Sequence, residues 1–88
     1  ATPSELLVAH LSTLPKHWSV TVRKGTPLEI HVTRNGVVDL KITELPGGFQ
    51  GSLYGFISGK LRDVLAALLK KSPVEVLLKG SHMRPDGR

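Results

Sequence analysis

LEIHVTRNGVVDLKI, residues 28 to 42, decides the fold of this chain because it predicts a β-hairpin. An apolar residue at every second position is typical of a strand that buries one face. This alternation occurs on both sides of the turn dipeptide Asn35-Gly36, at Leu28, Ile30, Val32, Val38, Leu40 and Ile42. The stretch therefore predicts two antiparallel strands joined by a tight turn.

The register of this hairpin depends on the length of its loop. A two-residue Asn-Gly loop would pair Val32 with Asp39 and place a charge on the apolar face. A three-residue loop pairs Val32 with Val38 and keeps the two apolar faces together, whereas a slip of one residue would invert them. We therefore predict the three-residue loop, whose outward-facing cross-strand pairs are His31 with Asp39 and Glu29 with Lys41.

Further elements are predicted on both sides of the hairpin. A helix begins at Thr2-Pro3-Ser4-Glu5, which has the form of a capping box with proline at the first helical position, and ends before Pro15. A second helix is indicated by apolar residues spaced i, i+3, i+4, i+7 and i+8 from Leu61. Residue alternation and chain breaks give the remaining bounds: strands over 18–22, 49–56 and 74–78, with the second helix over 58–71.

The element order is therefore helix, four strands, helix, strand, which predicts an α+β fold. Consecutive strands joined by tight turns favour an antiparallel meander sheet with both helices packed on one face. We expect residues 1–79 to form a single small domain with its other sheet face open. A chain this short buries a modest core, and an exposed sheet edge would allow a homodimer.

The composition favours a binding protein with an acidic partner. The chain has 88 residues and a formal net charge of +5, and its pI is about 10.0. Such a charge attracts nucleic acid or an acidic protein. The chain has no cysteine, which excludes disulfides and thiolate metal sites, and no apolar run approaches the length of a membrane span. We therefore expect a cytoplasmic protein without a membrane span.

The stretch PGGFQGSLYGFISGKLRD, residues 46 to 63, is the strongest candidate site. It does not match a phosphate loop, because three residues rather than four separate Gly55 from Gly59 and Leu61 replaces the required Ser or Thr. The amides of a helix start still favour an anion, although a cap at Ser58 explains the same residues structurally. The aromatic side chains of this stretch, Tyr54 and Phe56, are candidates for base stacking.

We therefore predict a non-enzymatic domain that binds nucleic acid or another polyanion. An alternative is a protein–protein interaction module, such as an adaptor, a chaperone-like dimer or an assembly factor. Backbone attraction would come from lysine and arginine side chains. The predicted anion-binding residues are Arg23, Lys24, Arg34, Lys41, Ser58, Gly59, Lys60 and Arg62.

Catalytic and metal sites are not predicted. Pairing Trp18 with Val32 would place Ser19, His31 and Asp39 in one row, but a flat sheet face has no pocket and no oxyanion hole. The histidines also lack the spacing of metal ligands. We expect neither a metal nor a cofactor.

The end of the chain has two interpretations. Gly80-Ser81-His82-Met83 is similar to the scar of an expression tag, which predicts a scar or flexible tail over 80–88 without a function for His82. Alternatively, KGSH at 79–82 followed by PDGR at 85–88 resembles the HicA family of RNA-cleaving toxins, small domains similar to double-stranded-RNA-binding domains. That resemblance implies that His82 is catalytic.

Overall fold

A computed structural model describes residues 2–54 and 59–79 of the chain. Two helices and five strands follow one another within these residues, in the order that the sequence predicts. The elements are α1 (Pro3–Leu11), β1 (Trp18–Arg23), β2 (Glu29–Arg34), β3 (Val37–Leu45), β4 (Gly48–Leu53), α2 (Gly59–Lys70) and β5 (Val76–Lys79). The α+β fold is therefore confirmed.

The five strands form one sheet in the order β1-β2-β3-β4-β5. The first four strands are an antiparallel meander, as predicted. β5 differs, because it pairs parallel with β4 and makes the sheet mixed. Parallel neighbours need a long crossover connection, and α2 lies in that connection.

Local sequence signals position both helices. The Thr2 hydroxyl accepts a hydrogen bond from the Glu5 amide at 3.2 Å, and the Glu5 carboxylate accepts one from the Thr2 amide at 3.0 Å. The capping box is thereby confirmed, although α1 ends at Leu11, earlier than the chain break at Pro15. α2 lies within the predicted range, and its predicted cap Ser58 is outside the described residues.

Both helices pack on the same face of the sheet, as predicted, because their buried residues belong to one apolar cluster with the sheet. A side-chain bond also links the helices, since His10 Nε2 donates to the Leu68 carbonyl at 2.7 Å. No helix in the described part of the chain is long and apolar enough to span a membrane. The cluster contains Leu7, Leu11, Trp18, Ile30, Val32, Leu40, Ile42, Phe49, Leu53, Leu65 and Leu69.

The predicted register of the β2–β3 hairpin is wrong. Asn35 and Gly36 both have positive φ, 55° and 80°, and form a two-residue loop that pairs Arg34 with Val37. Positive φ at both central residues is the signature of a type I′ turn, which matches the twist of a hairpin. β3 then has one residue more than β2 between two adjacent pairs, and this residue is Asp39. The outward-facing pairs consequently become His31 with Lys41 and Glu29 with Thr43.

The β-bulge at Asp39 explains why the apolar faces still meet with a two-residue loop. The extra residue restores the alternation beyond it, so that Val32 pairs with Leu40 and Ile30 with Ile42. Asp39 is buried, with 1% of its surface exposed. A buried carboxylate is tolerated when it is paired and hydrogen-bonded, and both conditions hold here.

Two side chains satisfy the Asp39 carboxylate. Trp18 Nε1 donates to Asp39 Oδ2 at 2.9 Å, and Arg34 Nε donates to the same oxygen at 2.8 Å. Arg34 Nη2 lies 3.5 Å from the other carboxylate oxygen. The charge that argued against the Asn-Gly loop is therefore compensated inside the fold.

Candidate functional site

In the part of the chain that the structure describes, the helices leave one face of the sheet uncovered. On this side, the residues that alternate with the buried ones along β1 to β4 are at most half-buried, and they are polar apart from Val38 and Leu45 in β3. Alternate residues of a strand point to opposite faces, so these side chains share one surface. We call this surface the open face and define it by Arg23, Glu29, His31, Lys41, Ser52 and Tyr54.

The charged groups of the open face surround a single carboxylate. Arg23 lies directly opposite Glu29 in the β1–β2 pair. His31 Nε2 donates to one oxygen of Glu29 at 3.1 Å, and Lys41 Nζ lies 4.0 Å from the other oxygen. The open face, as defined above, therefore carries two permanent cations, Arg23 and Lys41, against the one carboxylate of Glu29, which leaves the surface cationic. Such exposed pairs are weak and are screened by salt, so an incoming anion would compete with Glu29 for them.

An aromatic ring lies beside these cations. Lys41 Nζ is 5.9 Å from the centroid of the Tyr54 ring, which is within the range of a cation–π contact. The Tyr54 amide donates to the Asp39 carbonyl at 2.9 Å and continues the β3–β4 contact by one residue. Tyr54 follows the buried Leu53, so the alternation of the strand places its ring on the same face as Lys41. Phe56, the other predicted stacking residue, is outside the described residues.

The remaining predicted cations lie elsewhere. Arg34 pairs with Asp39 on the helix-covered side, with 26% of its side chain exposed. Lys24 is exposed directly after β1. Gly59, Lys60 and Arg62 belong to the first turn of α2, in the layer that packs on the other face of the sheet. Of the predicted anion-binding residues, Arg23 and Lys41 therefore belong to the open face as defined, and the helix start is separate from it.

The Ser19, His31 and Asp39 row does not form. Ser19 pairs with Thr33, and His31 pairs with Thr21 on one side and Lys41 on the other. Asp39 is buried against Arg34 instead, at the bulge. Within 2–54 and 59–79, no three His, Asp or Glu side chains are close enough to hold a metal ion.

Sequence reasoning named the groups of the site but predicted the wrong register for the strands that carry them. The Asn35-Gly36 dipeptide was the available signal for the two-residue loop, and that loop together with the bulge at Asp39 brings His31 opposite Lys41. The stretch from Gly80 to Arg88, which includes His82 of the possible toxin motif, is outside the described residues.

Comparisons with protein-family models, with curated proteins and with solved structures find no match. The function is therefore inferred from the geometry and charge of this chain.

Proposed function

We propose that this protein binds nucleic acid, or another polyanion, through its open face and without catalysis. The observation that carries the proposal is the pair of Lys41 and Tyr54 on an uncovered polar sheet face. The net charge of +5 supports it, because attraction to phosphates supplies most non-specific affinity. Lys41 and Arg23 would contact phosphates in this arrangement.

Tyr54 favours a single-stranded ligand over a duplex. Unpaired bases stack on aromatic rings whatever their sequence, whereas the bases of a duplex are already stacked. A ring beside a lysine suits a nucleotide, since the base would contact the ring and the adjacent phosphate the ammonium group. Several RNA-binding folds use a sheet face in this way.

Three double charge reversals distinguish the surfaces, because each changes the net charge equally. They are Arg23→Glu with Lys41→Glu on the open face, Lys60→Glu with Arg62→Glu at the helix start, and Lys70→Glu with Lys71→Glu as the matched control. Binding to labelled single-stranded and duplex RNA and DNA would be measured by fluorescence anisotropy from about 50 to 200 mM salt. Circular dichroism would verify that each variant is folded.

We expect the open-face variant to lower the affinity at least about tenfold and to reduce the salt dependence of binding by roughly two counterions. The control pair should change the affinity by less than about threefold, through net charge alone. Loss of binding only in the helix-start variant would move the site to α2. An intact chain that does not bind any of the four ligands at low salt would refute the proposal.

Glu29→Gln should strengthen binding. The substitution removes the carboxylate that lies 4.0 Å from Lys41 and 3.1 Å from His31, so both groups become available to an anion. One charge near a surface phosphate is worth about 1 kcal/mol, which corresponds to an affinity increase of about fivefold. Glu44→Gln is the matched control, because Glu44 is exposed and outside the open face. An unchanged affinity in the Glu29 variant would show that Glu29 does not compete with the ligand.

A further inference from the structure

Within residues 2–54 and 59–79, β5 forms one edge of the sheet and has a strand partner on one side only. Leu77 and Leu78 of this strand are 64% and 38% exposed. An edge strand with exposed apolar side chains is a template for pairing with another strand. On the opposite edge strand, β1, Val22 is 39% exposed and the other exposed side chains, Ser19, Thr21 and Arg23, are polar, so Leu77 is the most exposed apolar side chain of the two edges. The two edges therefore differ, and β5 is the one suited to association.

The sequence of this edge is complementary to itself. Glu75-Val76-Leu77-Leu78-Lys79 begins with an acid and ends with a base around three apolar residues. In an antiparallel pair centred on Leu77, Glu75 of one copy faces Lys79 of the other, and Val76 faces Leu78. Opposite charges at facing positions stabilise a strand pair, whereas like charges destabilise it. We propose that a second copy of this chain pairs antiparallel along β5, with Leu77 at the two-fold axis.

Symmetry supports this register. Facing residues of an antiparallel pair lie on the same face of the sheet, and a two-fold axis perpendicular to the sheet keeps each face of one copy continuous with the same face of the other. With such an axis, the residue at the centre of the strand pair must face the same residue of the other copy. Centring on Leu78 would place Leu77 opposite Lys79 and lose both charge pairs. A parallel pair would place Glu75 opposite Glu75.

The proposed dimer continues the sheet across both copies and covers the Leu77 side chains with each other. Val76 and Leu78 would meet on the helix-covered side, where Val76 already packs against the core. Both open faces would lie on the same side of the joined sheet. The inference does not depend on polyanion binding, because it rests on the β5 edge alone.

Charge swaps test the register through complementation. The oligomeric state of the full chain would be measured by sedimentation equilibrium over a concentration series. We expect a reversible monomer–dimer equilibrium for the natural sequence, and a shift to monomer for both Glu75→Lys and Lys79→Glu, since each places like charges opposite one another. An equimolar mixture of these two variants should recover a dimer, because their charges are again opposite at both facing positions. The double variant E75K/K79E should dimerise alone.

The control is Lys71→Glu, which matches the charge change of Lys79→Glu away from the edge. It should dimerise like the natural sequence, and mixing it with Glu75→Lys should not restore the dimerisation of the Glu75 variant. Circular dichroism and Trp18 fluorescence would verify that all variants are folded. A chain that is monomeric at all concentrations would overturn the proposal. A dimer that persists in both single variants, or a mixture that stays monomeric, would also overturn it.

Discussion

Replacing Arg34 by leucine should lower the free energy of unfolding by about 3–5 kcal/mol, because it leaves a buried carboxylate without its cation. Asp39 is 1% exposed and its Oδ2 atom lies 2.8 Å from Arg34 Nε. The Trp18 indole would remain as a donor, but a single neutral hydrogen bond does not compensate a buried charge. Urea unfolding followed by circular dichroism measures the loss. Trp18, the only tryptophan of the chain, gives a second readout by fluorescence.

Arg23→Leu is the matched control, because it removes the same charge from the exposed sheet surface and should cost less than about 0.5 kcal/mol. Asp39→Asn provides the other arm of a double-mutant cycle. The double variant should lose less free energy of unfolding than the sum of the two single losses. Once Asp39 has no charge, the absence of the Arg34 guanidinium costs less. If Arg34→Leu lowers the free energy of unfolding by less than about 1 kcal/mol, the ion pair between Arg34 and Asp39 does not stabilise the bulge.

Gly51→Val should lower the free energy of unfolding by about 3 kcal/mol and detach β5 from the sheet. A Cβ atom at Gly51 would lie 3.2 Å from both Leu78 Cδ2 and Val76 Cγ1, and 3.6 Å from Ile42 Cγ1. The γ-carbons of valine extend further into the same space, so the β5 side chains must move away. Hydrogen exchange of the amides of residues 76–79 would detect the detachment, and urea unfolding would give the stability.

Gly47→Val is the control for this substitution. Nothing lies within 4 Å of a Cβ atom at Gly47, in the β3–β4 turn, so the same side chain should be accommodated there with little change. If the proposed dimer forms through β5, Gly51→Val should also abolish it, whereas Gly47→Val should not. Unchanged amide protection over 76–79 in the Gly51 variant would show that β4 and β5 adapt without separating.

Much of the fold follows from local sequence. The capping box at Thr2 and Glu5 predicts the start of α1, because its hydrogen bonds join residues three apart. The apolar spacing from Leu61 predicts α2 for a similar reason, since a helix places neighbours three and four residues apart on one face. Alternation predicts the strands, as it depends only on the period of an extended chain. Geometry between residues close in the chain is therefore sufficient to predict the start of α1, the helix α2 and the strands.

The candidate site was less predictable. The cationic residues follow from composition, but their division between the open face and the α2 start depends on which sheet face the helices cover. His31 was predicted opposite Asp39 and lies opposite Lys41, because the shorter loop and the bulge each shift the register by one residue. The contacts among Glu29, His31 and Lys41 depend on this shift and on the pleat of the two strands together.

The sequence by itself determined the elements, their order and the buried side of the strands except at the start of β3, where Asp39 is buried, because these depend on residues close together in the chain. Only the tertiary structure decided the hairpin register and the parallel addition of β5. A two-residue loop was possible because Trp18 and Arg34, five residues or more away from Asp39, together compensate its buried charge. β5 packs beside β4 because Gly51, which has no side chain, leaves space for Val76 and Leu78. Both outcomes depend on contacts that the alternation of apolar residues does not contain, such as the hydrogen bond from Trp18, 21 residues from Asp39, and the packing of β5 beside Gly51.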